Sequence, residues 1–144
     1  MPATAASGQA PAAKQPSHPP TMQATRHQRT YPGRADQLSQ LRREIACHLS
    51  GCPAAADATL IASELAANAI IHTQSRGSTF TVRCHASPGQ VRVEVEDLGG
   101  PWRPRQASDR PHGLDIIQAL TGPDGWGTQV TDTGGRIVWA QLTW

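Results

Sequence analysis

The chain has 144 residues, enough for one domain and a tail. Its apolar fraction of 38% includes only 4% aromatics, so a core must be built from Val, Ile, Leu and Ala. The net charge of +2 divides unevenly, with three cations (Lys14, Arg26 and Arg29) and no acid in residues 1–33, against ten basic and eleven acidic residues in the remainder. A near-neutral body lacks the clustered Lys and Arg of a nucleic-acid surface, no run reaches the ~18 apolar residues of a membrane span, and Cys47, Cys52 and Cys84 are too few and too irregular for a disulfide framework or a zinc site.

Residues 1–33 hold six of the twelve prolines and almost no large apolar side chain. Such a stretch cannot bury enough surface to offset chain entropy and is expected to be a disordered tail, with the folded domain running from residue 34 to 144. The N-terminus has no apolar centre of a secretory signal, and the cysteines read as reduced, so the expected compartment is the cytoplasm. Cys47 and Cys84 fall at apolar positions.

From Ala35 the pattern becomes helical, with Leu38, Leu41, Ile45 and Leu49 on one stripe and a stop at Gly51 and Pro53. A second, Ala-rich helix is expected from about Ala54 to Thr73, with Leu60, Ile61, Leu65, Ile70 and Ile71 as its large apolar residues. Two strands follow. Phe80, Val82, Cys84 and Ala86 alternate with polar residues, Pro88-Gly89 turns the chain, and Val91, Val93 and Val95 alternate with Arg92, Glu94 and Glu96. That alternation predicts an antiparallel sheet with one covered and one solvated face. A loop spans Leu98 to Pro111. A short helix from Gly113 then turns Leu114, Ile117 and Leu120 inward and stops at Gly122-Pro123. Trp126–Thr131 and Arg136–Trp144 form a hairpin around 132–135. The order α-α-β-β-α-β-β predicts an α+β fold, a two-layer sandwich with a mixed, mostly antiparallel sheet and helices on one face.

Within SELAANAIIH (63–72), Glu64, Asn68 and His72 are spaced i, i+4, i+8 and project from roughly one helix face. The spacing alone fits a solvated stripe as well as it fits a cleft in which Asn68 ligates a hard cation and Glu64 acts as a base. Asp97 closes VRVEVED just before Gly99-Gly100; it serves either as a turn former or as an acceptor for an exocyclic amine. Gly113 opens a helix whose free N–H groups and dipole favour phosphate, although a plain loop-to-helix junction looks the same.

Together, SELAANAIIH, VRVEVEDLGG and PHGLDIIQAL resemble the N, G1 and G2 boxes of the histidine-kinase-like (GHKL) ATP-binding domains. The chain most resembles the stand-alone bacterial anti-sigma regulatory factors, a serine/threonine-kinase branch, over Arg34 to Trp144. The resemblance implies a Bergerat-type sandwich that binds ATP and Mg²⁺ beneath a lid from Leu98 to Pro111. It assigns Glu64 as general base, Asn68 as Mg²⁺ ligand, and Asp97 with Gly99 as the adenine site. Gly113 and Leu114 become the phosphate side of the pocket, and His72 a pocket wall or helix-end packing residue. The implied partners are an anti-anti-sigma (STAS-type) protein and a sigma factor, and members of this branch often form homodimers. Two departures stand out. Pro111 and His112 precede Gly113 where the G2 box usually has a glycine, which removes one N–H donor and stiffens the hinge, and Pro101-Trp102 follows G1. A non-catalytic partner-binding module of the same fold is therefore the alternative to a kinase.

Overall fold

The computed structural model describes residue 8, residues 23–100 and residues 113–144. In chain order the elements are β1 (Thr25–Pro32), α1 (Leu38–His48, entered through a single 3-10 turn), α2 (Ala55–His72), β2 (Thr79–Ser87), β3 (Gln90–Asp97), α3 (Gly113–Thr121), β4 (Trp126–Val130) and β5 (Arg136–Thr143). The five strands form one sheet in the order β1-β2-β3-β5-β4, and all four pairings are antiparallel. The helices pack on one face, with α2 between α1 and α3. This is the expected two-layer α+β sandwich. Among the described residues no helix is long and apolar enough to cross a membrane.

The core lies between the layers. Phe80, Val82, Cys84 and Ala86 of β2 and Val91, Val93 and Val95 of β3 are buried against Leu41, Ile45, Ile61, Leu65 and Ile117 of the helices. The alternation read from the sequence is the alternation of the pleat, because among the described residues no layer covers the opposite face. Helix α2 is central and therefore apolar on most sides, with Ala58, Ala62, Ala66 and Ala69 allowing close approach of its neighbours. Leu60 and Ile71, two of its predicted apolar contributors, are instead exposed at 41% and 55%. Helix α3 ends at Gly122, whose φ of +79° is accessible to glycine at little cost and whose N–H closes onto the Gln118 carbonyl at 2.8 Å.

Two expectations are corrected. Residues 25–32, placed in the disordered tail, form edge strand β1, paired with β2 from Thr25↔Ala86 to Pro32↔Thr79. The folded part thus reaches back at least to Thr25. The strand escaped detection because three of its four helix-facing residues, Thr25, His27 and Arg29, are polar. Two of them find partners on α1: Arg29 pairs with Glu44, and Thr25 Oγ1 lies 3.2 Å from His48 Nε2, while the Tyr31 hydroxyl donates to the Glu44 carboxylate at 2.5 Å. Tyr31 itself is fully buried and stacks on Phe80 with ring centroids 5.6 Å apart. Most of the remaining tail, residues 1–7 and 9–22, lies outside the described residues. Secondly, Cys47 is exposed, while Cys52 is buried along with Cys84. Position 47 falls off the Leu41–Ile45–Leu49 stripe of α1, which is the stripe the sheet covers.

Candidate nucleotide site

Two polar side chains are sunk into the apolar interlayer near one end of the sheet. Asn68 is 8% exposed on α2, and Asp97, the last residue of β3, is 4% exposed. The chain ties these two elements together at that end. Past the end of α2, the Gln74 N–H donates to the Gly99 carbonyl at 2.9 Å, and the Leu98 N–H donates to Ser75 Oγ at 2.9 Å. Asn68 sits one turn before this junction and Asp97 directly beside it. Burying unpartnered polar groups costs free energy, so each requires an account.

Asp97 is partly satisfied. Its Oδ1 accepts the Gly99 N–H at 2.7 Å, a bond made possible by the left-handed backbone of Gly99 at φ +73°. A Cβ on Gly99 would lie 2.2 Å from the Gly134 carbonyl oxygen of the β4–β5 turn, so glycine is required here on two counts. Burial raises the pKa of Asp97 above the ordinary carboxylate value; the Gly99 N–H and the charge of Arg136 oppose that shift, and Glu96 adds to it. Arg136 stands directly opposite Asp97 in the β3–β5 register.

Asn68 is not satisfied among the described residues: its amide nitrogen is buried and has no hydrogen-bond partner there. An amide turned by half a rotation presents its oxygen in the same place. Such a group fits a ligand that brings its own polar atoms. Glu64, one turn earlier on the same helix, is half-buried, as is His72 at the helix end. The solvated-stripe reading therefore does not describe Asn68, whereas Glu64 does face partly toward solvent.

Gly113 opens α3, which packs against α2, so its free backbone N–H groups begin beside the Asn68 helix. Leu114 borders a cavity of about 440 Å³ together with Trp126, Thr128, Arg136 and Val138. Of the expected lid, Leu98 to Pro111, residues 101–111 lie outside the described residues, as does His112. The sequence reading missed three residues: Ser75, fully buried and holding Leu98; Arg136, which acts on Asp97; and Trp126, whose indole N–H is buried without a partner. None carried a local signal, since each depends on which strand or loop lies next to it.

The residues present fit ATP–Mg²⁺: a buried carboxylate with its acceptor oxygens, a buried amide with unfilled hydrogen-bonding capacity, and a helix start. Residues 31–135 match the family model of the histidine kinase-like ATPase domain. The match spans most of the chain and takes in α2, β3 and α3, and this protein belongs to that family. No curated protein matches the chain. The family implies ATP binding, usually with Mg²⁺.

Proposed function

We propose that the protein is an ATP–Mg²⁺-binding regulator of the anti-sigma type that phosphorylates a serine or threonine of a STAS-type anti-anti-sigma protein, with a sigma factor as its other partner. The observation that carries the nucleotide part of this reading is the burial of Asn68 and Asp97 at one end of the interlayer, Asn68 with its amide nitrogen unpartnered among the described residues. In this reading Asp97 accepts the exocyclic amine of adenine, with Gly99 holding the carboxylate in place. Asn68 Oδ1 holds Mg²⁺, and the backbone N–H groups from Gly113 and Leu114 meet the phosphates. Bound ATP supplies the γ-phosphoryl group. Glu64 receives the hydroxyl proton of the substrate serine, for which its partial exposure leaves it accessible from solvent. Phosphoryl transfer is mostly positioning and electrostatics, so this short list of groups is sufficient.

Pro111 favours a second reading, in which the same fold binds ATP or a partner without transfer, because proline removes a donor from the phosphate-side loop. Titration calorimetry with ATP–Mg²⁺, followed by incubation with the STAS-domain proteins and sigma factors of the source genome and γ-labelled ATP, separates the two. The kinase reading expects heat on titration and label on a STAS-type protein. Heat without label on any partner leaves the binding module; no heat and no thermal shift with any nucleotide removes both nucleotide readings.

A further inference from the structure

The face of the sheet turned away from the helices carries an ordered row of basic side chains. In the antiparallel register Arg26 of β1 stands opposite His85 of β2, and His85 stands opposite Arg92 of β3. All three point away from the helices, since their neighbours Ala86, Cys84, Val91 and Val93 are the buried ones. Two arginines therefore flank one imidazole on the same face, one from each neighbouring strand. The row borders a depression of about 490 Å³ at the corner where β2 turns into β3, together with Ser87 and Gln90. The other residues lining it are uncharged, so every charged or titratable side chain in its lining is basic, with the Glu94 carboxylate next to it on Arg92. This stands out in residues 25–144, which hold twelve basic and eleven acidic residues, and it lies at the opposite end of β3 from Asp97.

The groups in the row have hydrogen-bonding capacity to spare. The Nε2 of His85 is buried and has no hydrogen-bond partner among the described residues. Arg26 makes no ion pair among the described residues. Arg92 rests its guanidinium 4.3 Å from the centre of the Trp139 ring and donates to Glu94 at 2.8 Å, which leaves the rest of its donor fork for a ligand. Ser87 adds a hydroxyl donor and Gln90 an amide.

We propose that this corner, formed by Arg26, His85 and Arg92, is a docking site for a single anionic side chain, carboxylate or phosphomonoester, presented by a protein segment. The arginines flank His85 from strands on either side of it and close on one oxyanion from two directions, as charge-assisted hydrogen bonding favours. A polyanionic strand is disfavoured: Glu94 and Glu96 lie on the same face, further along β3, and would meet its next phosphates. The site is independent of the nucleotide pocket.

The test uses the full chain and three short peptides of one sequence, carrying phosphoserine, glutamate or serine at the centre, with a twelve-nucleotide single-stranded DNA as a fourth probe. Binding is followed by NMR at the Trp139 indole and the His85 ring, which report on Arg92 and on the floor of the site. The expected result is saturable shifts with the phosphoserine or the glutamate peptide and none with serine, the tighter of the two naming the source of the anion. Arg26→Gln and Arg92→Gln should each weaken binding about tenfold, as loss of one charge-assisted contact implies. Arg26 sits on an edge strand and makes no internal ion pair, so Arg26→Gln remains decisive if Arg92→Gln disturbs the fold. Equal shifts with the serine peptide, preference for the DNA, or unchanged affinity in Arg26→Gln would overturn the proposal.

Discussion

Asp97→Asn tests the nucleotide site in two opposite directions at once. The substitution keeps the size of the side chain and an oxygen for the Gly99 N–H, but replaces an acceptor-only carboxylate by an amide. If the carboxylate binds the amine of adenine, one charged hydrogen bond is lost, about 1.5–3 kcal/mol, or roughly 10–150-fold in affinity. Stability without nucleotide should move the other way. Burial raises the pKa of Asp97 in the folded state, so the native protein binds this proton more tightly than the unfolded chain. The stability Asp97 contributes is then complete below its unfolded pKa, near the ordinary value of 3.8, and is lost as pH rises through the elevated folded value. Asparagine has no such loss. Urea melts from pH 3 to 8, read with the calorimetric affinity for ATP–Mg²⁺, should show a variant that gains stability over the parent as pH rises while losing the nucleotide. A variant that binds ATP with parental affinity refutes the adenine assignment, and a stability difference independent of pH refutes the electrostatic account of the buried carboxylate.

Glu64→Ala should retain ATP affinity while slowing phosphate transfer to a protein substrate by about 10²–10⁴-fold, the usual contribution of a general base; unchanged transfer would show that another group takes the proton. Gly99→Ala should destabilise the fold by about 2 kcal/mol or more, since alanine must adopt a left-handed backbone and its Cβ would lie 2.2 Å from the Gly134 carbonyl oxygen. Urea denaturation measures this, and a neutral result would show that the β3–β5 junction yields easily. Tyr31→Phe should cost about 1.5–3 kcal/mol at neutral pH by removing a hydrogen bond to an ionised carboxylate. Burial pushes the Glu44 pKa up, but the bonds from Tyr31 and Gln40 and the charges of Arg29 and His27 outweigh it and lower the pKa. The stability this pair contributes is therefore lost as pH falls through the depressed Glu44 value, and the gap between Tyr31→Phe and the parent should narrow in acid. A thiol reagent at pH 8 should modify Cys47 rapidly and spare Cys84, whose thiol burial, helped by Cys52, pushes up to about 12. Equal labelling of both by mass spectrometry would contradict that burial.

Periodicity was enough to locate three helices and the strands β2 and β3, because each presents a regular apolar face to one core: Leu41 and Ile45 on α1, Phe80 to Ala86 on β2, Val91 to Val95 on β3; the turn residues 132–135 located the β4–β5 hairpin, whose first strand has no buried residue. It also placed Glu64, Asn68 and Asp97 on their elements, since a helix face and a strand end are local properties. Strand β1 was not legible. Its inward residues are mostly polar, and only α1, brought across it by the fold, supplies the Glu44 carboxylate that makes Arg29 and Tyr31 acceptable there. The difference between a solvated stripe and a buried site at Asn68 was likewise undetermined by spacing, because burial depends on what packs beside α2. Tertiary structure decided it by setting α1 and α3 on either side of that helix. It also inserted β5 between β3 and β4, which sets Arg136 against Asp97 across a sheet register that no local pattern encodes. Local chemistry is written in the order of residues. Burial and cross-strand charge arise only when segments far apart in the chain are brought side by side.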